Sequence, residues 1–153
     1  MADGPPDSMA YLPAAPNVFI NLEVKVAESN KPELASLTDK FFTAYNELDL
    51  ETFGGLLADD VHWEHHNRFK GKGRDPLLES VRDIAKKLPD RKFSPVSRWA
   101  VNGNVVHVEH QWSATPIEND DAWGWKAGVP TSMDAASVVV YSDGKIVEWS
   151  DYA

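Results

Sequence analysis

The spacing of the apolar residues shifts from mostly helical in the front half of the chain to alternating in the back half, and that shift limits the folds open to it. Between Asn30 and Leu88 they recur mostly every three or four residues, the period of a helix with one buried face. From Arg91 to Tyr152 they alternate, and Asn102-Gly103 and Asp143-Gly144 interrupt the alternation as hairpin turns. Helices first and antiparallel strands afterwards predict an α+β domain with the helices on one face of a curved sheet.

Three helices are expected. Asn30 with Glu33 reads as a capping box, Pro32 suits a first turn, and Leu34, Leu37, Phe41, Tyr45 and Leu48 form the apolar stripe. Asp49 caps a shorter helix through Leu57, weakened by Gly54-Gly55. Asp75-Pro76 opens a third, whose Leu77, Val81, Ile84, Ala85 and Leu88 face inward until Pro89 stops it. Strands are expected over Val61–Asn67, Arg91–Val101, Asn104–Ala114, Met133–Tyr141 and Lys145–Tyr152, with a turn at Gly71 and Gly73. Ahead of these, the first 32 residues hold five of the ten prolines, so residues 1–29 read as a flexible tail or arm before a single domain over 30–153. The alternating Val18, Ile20, Leu22, Val24 and Val26 leave a strand open there.

Composition narrows the function. Fifteen Lys+Arg against 24 Asp+Glu give a net charge of −9, and without a basic run such a chain repels phosphate backbones, which argues against nucleic acid as a partner. There is no cysteine, so thiol nucleophiles, thiolate metal sites and disulfides are excluded. The apolar runs are too short to cross a membrane, and the start lacks the pattern of a secretory signal, which points to the cytoplasm.

Side-chain alternation then indicates a site. Val61, Trp63 and His65 share one strand face, opposite His62, Glu64 and His66. Val106, Val108, His110 and Trp112 share another, opposite His107, Glu109 and Gln111; Val147, Trp149 and Asp151 share a third, opposite Glu148 and Ser150. Each apolar stripe carries one ionisable group near its end. Burial of such groups is unfavourable unless they are paired, so His65, His110 and Asp151 are expected in a common cavity. The run His62-Trp63-Glu64-His65-His66 is not a metal motif, because pleating divides its histidines between two faces, and no metal or cofactor is expected. Trp123 and Trp125 are either a lid or loop anchors, and Asp134 is solvated.

Two segments carry a family resemblance. Phe42-Thr43-Ala44-Tyr45-Asn46 through Leu56-Leu57-Ala58-Asp59-Asp60-Val61 resembles the helix-helix-strand opening of the nuclear transport factor 2-like superfamily. Gly144 to Tyr152, with Trp149-Ser150-Asp151-Tyr152, resembles its closing strand in limonene-1,2-epoxide hydrolases and SnoaL-type polyketide cyclases. The resemblance implies a cone-shaped curved antiparallel sheet, three N-terminal helices on its concave face, and a homodimer. Asp151 falls where the epoxide hydrolases keep a catalytic aspartate; their Arg and second Asp fall on His110 and Trp112, and their Tyr and Asn on Trp63 and His65. His65 also falls where ketosteroid isomerases, which the chain resembles too, keep a catalytic base, while their oxyanion-binding Tyr and Asp fall on Phe41 and Ser137.

Together these readings give His65, His110 and Asp151 as acid-base residues around a small hydrophobic substrate. Phe41, Tyr45, Trp63, Val108, Trp112, Met133, Ser137 and Trp149 are expected to line the pocket. Asp151 would orient His110, with His65 on the other side of the substrate, for isomerisation, cyclisation or dehydration. Hydrolysis of an epoxide or ester by activated water, and a binding or dimerisation module without catalysis, remain open.

Overall fold

The computed structural model describes residues 31–153; the expected arm over residues 1–29 and the expected cap Asn30 lie outside them. Helix α1 spans Lys31–Glu47 and α2 spans Leu50–Gly55. Leu48 turns the chain between them at φ 56°, and the Asp49 side chain accepts from Thr52 N (3.0 Å), as its position before the helix predicts. The glycine pair ends α2 before Leu57, so strand β1 starts early, at Leu57, and runs to His65. Strand β2 (Phe69–Lys72), α3 (Arg74–Lys87), β3 (Lys92–Phe93), β4 (Arg98–Asn102), β5 (Val105–Ala114), β6 (Thr131–Ser142) and β7 (Lys145–Tyr152) follow.

The sheet order is β2-β1-β7-β6-β5-β3, with β4 also paired to β5. The architecture is the expected α+β arrangement, a curved and unclosed sheet with helices leading, and one pairing departs from antiparallel: β1 runs parallel to β7. That pairing sets His65 beside Asp151 and Trp63 beside Trp149. On the other side of β7, Asp151 pairs with Ser137, which in turn pairs with Val108. Side chains on one face of a sheet stand next to their cross-strand neighbours, so this register assembles the site.

Three local expectations change. Arg91–Val101 is two strands, because Pro95 offers no N–H to the ladder; Ser94 N and Ser97 N resume pairing with β5 on either side of it. The expected turn around Gly71 is strand β2, whose Gly71 pairs with Trp63. On β7, Ile146 rather than Val147 is fully buried. Val140 pairs with Glu148 while the adjacent Tyr141 pairs with Ile146, so Val147 is the extra residue of a bulge that resets the pleat.

The helices bury their stripe on an aromatic cluster. Phe41 stacks on Phe53 (4.5 Å, 16°) and meets Trp149 edge-on (5.0 Å, 89°). Burying each such side chain contributes about 1.5–3 kcal/mol, and offset or edge contacts add about 0.5–1.5 kcal/mol. Asn46 clasps β3 through both ends of its amide, Nδ2 donating to Phe93 O (2.9 Å) and Oδ1 accepting from Phe93 N (2.8 Å). The end of α1 is thereby fixed to the sheet beside the site.

Candidate functional site

A cavity of about 600 Å³ lies between α3, the ends of β1 and β7, the start of β6 and the loop after β5. Trp63, Trp112, Trp149, Tyr45, Phe69, Phe93, Trp123 and Met133 supply its broad apolar walls, and Leu77, Val81 and Ile84 of α3 form the facing side. His65 and Asp151 reach it; so do Ser80, Glu64, Asp83, Lys87 and Asp120.

Asp151 is the most constrained group. Trp149 Nε1–H donates to its Oδ1 (2.8 Å), and the Ser137 hydroxyl donates to the same oxygen. Both donors meet Oδ1; among the described residues none meets Oδ2, and Asp151 lines the cavity. Burial among aromatic rings disfavours the charged form and pushes the carboxyl up to about 7, against the lowering effect of the two donors. This carboxyl therefore exchanges a proton near neutrality, about three pH units above an ordinary aspartate.

His65, adjacent on β1, is half-buried between Phe69 and Trp123, each 5.5 Å away between ring centroids. Desolvation pulls its pKa down, with a smaller opposing effect from the His66 carbonyl, 3.5 Å from Nδ1. Tyr45 presents a phenol whose oxygen accepts from Trp112 Nε1 (3.3 Å); among the described residues its own proton meets no acceptor, so it is available to a guest.

The other expected site residues lie elsewhere. Phe41 and Val108 are core residues outside the cavity lining. His110 does not reach the cavity either: it stacks on Phe93 (4.3 Å, 13°), meets Phe42 edge-on (4.7 Å, 77°), and desolvation pushes it down to about 4. Nor does it touch Asp151, because Ser137, fully buried, stands between them with its Oγ 2.9 Å from His110 Nε2. Equal pleating put all three on one face but could not show that Phe93, from a neighbouring strand, covers His110.

The aromatic loop is both anchor and wall. Trp125 is buried and stacks on Trp112 (6.0 Å, 22°), Trp123 stacks on Trp125 (5.0 Å, 17°), and the Arg68 guanidinium lies 4.3 Å from the Trp123 ring. Trp63 is held flat by Gly71, where a Cβ would stand 2.2 Å from its ring, and by donation from its Nε1 to Gly73 O (3.2 Å). Phe69, Phe93 and the α3 residues join the lining beyond those that alternation predicts. The inward stripe of α3 was legible as core, but its distance from the sheet was not. Among the described residues no three His, Asp or Glu side chains gather as a metal site.

Residues 38–149 match the SnoaL-like domain family. The chain belongs to that family. Its fold recurs in a candidate polyketide cyclase from Xanthomonas campestris pv. campestris, 17% identical over 82% of this chain and 93% of that one, with a TM-score of 0.74. An LEH-like epoxide hydrolase from M. tuberculosis is 19% identical over 79% of this chain and 82% of its own, with a TM-score of 0.65. A protein of ketosteroid isomerase-like fold from Catenulispora acidiphila, solved with trimethylamine, is 14% identical over 76% of this chain and 84% of its own, TM-score 0.66. At these identities the likeness is one of fold. No curated protein matches the chain. Among the described residues no helix is long and apolar enough to cross a membrane.

Proposed function

We propose that this SnoaL-like protein is an enzyme that moves a proton on a small, uncharged, hydrophobic molecule, in an isomerisation, cyclisation or dehydration without a cofactor. The observation that carries the reading is Asp151: a carboxyl tied down through Oδ1, with no protein donor on Oδ2 among the described residues, in the wall of an aromatic cavity and poised near neutral pH. A general base works best with a pKa near working pH, and one such group is typically worth about 10²–10⁴ in rate. Oδ2 takes the proton from an acidic C–H. The free Tyr45 hydroxyl donates to the oxygen on which negative charge develops, and His65 takes up or returns the proton beside Asp151. An anionic guest gains little here, since among the described residues the cation of the lining is Lys87, 3.4 Å from Glu118, against Glu64, Asp83 and Asp120.

The reading includes a cytoplasmic homodimer joined through the outer sheet face, where Ala136, Val138 and Val140 are half-buried rather than solvated. Sedimentation of Val138→Asp tests that part; a wild-type monomer at micromolar concentration refutes it.

The activity is tested by hydrogen-deuterium exchange at the α-carbons of 2-tetralone, a neutral bicyclic ketone, followed by mass spectrometry in heavy water. Acceleration by the wild type, lost in Asp151→Asn and reduced in Tyr45→Phe, supports proton abstraction. Equal exchange with wild type and Asp151→Asn refutes it. A second reading, attack of water on an epoxide, is favoured by the register that sets His65 beside Asp151 on adjacent strands, both of them lining the cavity. Incorporation of labelled oxygen from water into a styrene oxide product, with no ketone exchange, would replace the first reading by the second. Binding of 2-tetralone without either reaction would leave a binding module.

A further inference from the structure

His110 and Ser137 are buried, polar and outside the cavity, and the proton-transfer reading leaves them without a role. They form a series: His110 Nε2 lies 2.9 Å from Ser137 Oγ, and Ser137 donates to Asp151 Oδ1, which also accepts from Trp149. A serine hydroxyl has one proton. If that proton goes to Asp151, the 2.9 Å contact is a bond only when His110 is the donor, so the imidazole must carry its proton on Nε2. Nδ1 is then a bare lone pair, and it is the buried side-chain nitrogen of His110 without a partner. The opposite tautomer would bury an unpaired N–H instead and leave Ser137 to choose between two acceptors. The surroundings enforce neutrality as well, since Phe93 stacks on the ring, Phe42 closes its edge, and desolvation holds the imidazole in its uncharged form.

We propose that His110 and Ser137 are positioning residues that form a one-way hydrogen-bond relay, His110 Nε2–H to Ser137 Oγ–H to Asp151 Oδ1, which confines the titrating proton of Asp151 to Oδ2. The relay deepens the proton-transfer reading by naming what fixes its carboxyl, but it concerns protonation in the resting protein and is measured without turnover. A carboxyl with two free oxygens would carry its proton on either, and in half the molecules the basic lone pair would face away from the guest. Two fixed donors on Oδ1 remove that degeneracy. His110 acts only through Ser137, because no direct contact joins it to the carboxylate.

The titratable groups that line the cavity together with Asp151 are His65 and Glu64 from β1, Tyr45 from α1, Asp83 and Lys87 from α3, and Asp120 from the loop. None of them contacts Ser137 or His110 in the hydrogen-bond network, so changes at the relay leave that set in place.

Two measurements on the full chain test the relay. Long-range ¹⁵N NMR of the imidazoles should show His110 neutral and protonated at Nε2 across pH 5.5–8; protonation at Nδ1 in that range overturns the proposal. Carboxyl ¹³C NMR, with Asp151→Asn for assignment, reads the midpoint of Asp151. Ser137→Ala removes a donor to the anion and should raise that midpoint by about one pH unit. His110→Asn should shift it in wild type and leave it unmoved in the Ser137→Ala background, since the relay then has no middle member. Equal shifts by His110→Asn in both backgrounds, or none in either with the fold retained, overturn it. If His110→Asn does not fold, the tautomer and the Ser137→Ala midpoint decide alone. Loss of ketone exchange in an otherwise intact relay would count against the proposed activity and leave the relay standing.

Discussion

Replacing Asp151 by Asn should make the protein more stable, and more so at high pH than at low. In the folded chain burial lifts the carboxyl from 3.8 to about 7, a rise of about three pH units. Each unit is worth 1.36 kcal/mol of preference for the protonated form. Below 3.8 the carboxyl is neutral in both states and folding is unaffected by its charge. Between 3.8 and 7 the unfolded chain ionises while the folded chain holds the proton, so stability falls as pH rises. Above 7 the folded chain carries the buried anion at a penalty of about 4 kcal/mol. Asparagine keeps the Oδ1 that accepts from Ser137 and Trp149, and it places a neutral amide in the position of Oδ2. Urea unfolding of both proteins should therefore give a gap of no more than about 0.5–1 kcal/mol at pH 4, widening to as much as about 4 kcal/mol at pH 8. A gap of equal size at both pH values, or a variant less stable than wild type at pH 8, would show that Asp151 is not a strained carboxyl.

Two further outcomes follow from the cavity walls. Gly71→Ala places a Cβ 2.2 Å from the Trp63 ring, so the indole must swing away; stability should drop by roughly 1–3 kcal/mol, and binding of 2-tetralone, read by tryptophan fluorescence, should weaken with it. Unchanged melting in Gly71→Ala would mean that the ring moves freely. Trp123→Ala removes the half-buried outer member of the tryptophan stack while Trp125 stays anchored on Trp112. Its Kd for 2-tetralone should rise about tenfold, the equivalent of losing roughly one aromatic contact, with melting within a few degrees of wild type; an unaltered Kd would remove Trp123 from the site.

Much of this site was legible because strand pleating is a strict rule. Alternation put Trp63, His65, Trp149 and Asp151 on one face before any pairing was known, and the parallel β1–β7 register brings them side by side. Pleating fails where the ladder is irregular. The same arithmetic predicts Val147 inward, and the bulge gives its place to Ile146. Depth is the second limit. His110 obeys the alternation but lies under Phe93; the expected strand Arg91–Val101 includes Phe93, but its alternation does not say which strand it pairs with or what its side chain covers. The β2 strand is not legible in sequence because four residues with an internal glycine look like a turn; its glycine is there to admit Trp63, a reason that exists only across the pair. Local chemistry was thus read from sequence, whereas what covers a residue depends on non-local packing.

Asp151 and His110 are one hydroxyl apart and respond to pH in opposite senses, which yields a prediction for the unmodified protein. Burial lowers His110 from 6.5 to about 4. As pH falls from 6.5 the unfolded chain gains a proton on this residue that the folded chain refuses, so stability is lost on acidification down to about 4, by as much as about 3 kcal/mol. Over nearly the same window Asp151 acts the other way, adding stability on acidification from 7 to 3.8. His65, half-buried and lowered by desolvation, adds a smaller contribution with the sign of His110, discounted because solvent reaches it. The surface carboxylates lowered by their hydrogen bonds, Asp49, Asp83 and Asp90, act mainly below the ordinary aspartate range and leave the window clear. The wild type should therefore show nearly level stability between about pH 4.5 and 6.5, within roughly 1 kcal/mol, while each single variant tilts. Asp151→Asn should lose stability on acidification, and His110→Asn should gain it. Parallel curves for wild type and both variants would mean that neither group is displaced from its ordinary pKa. The flat profile would then have no source in the buried pair, and the case for a carboxyl tuned to neutrality would fall with it.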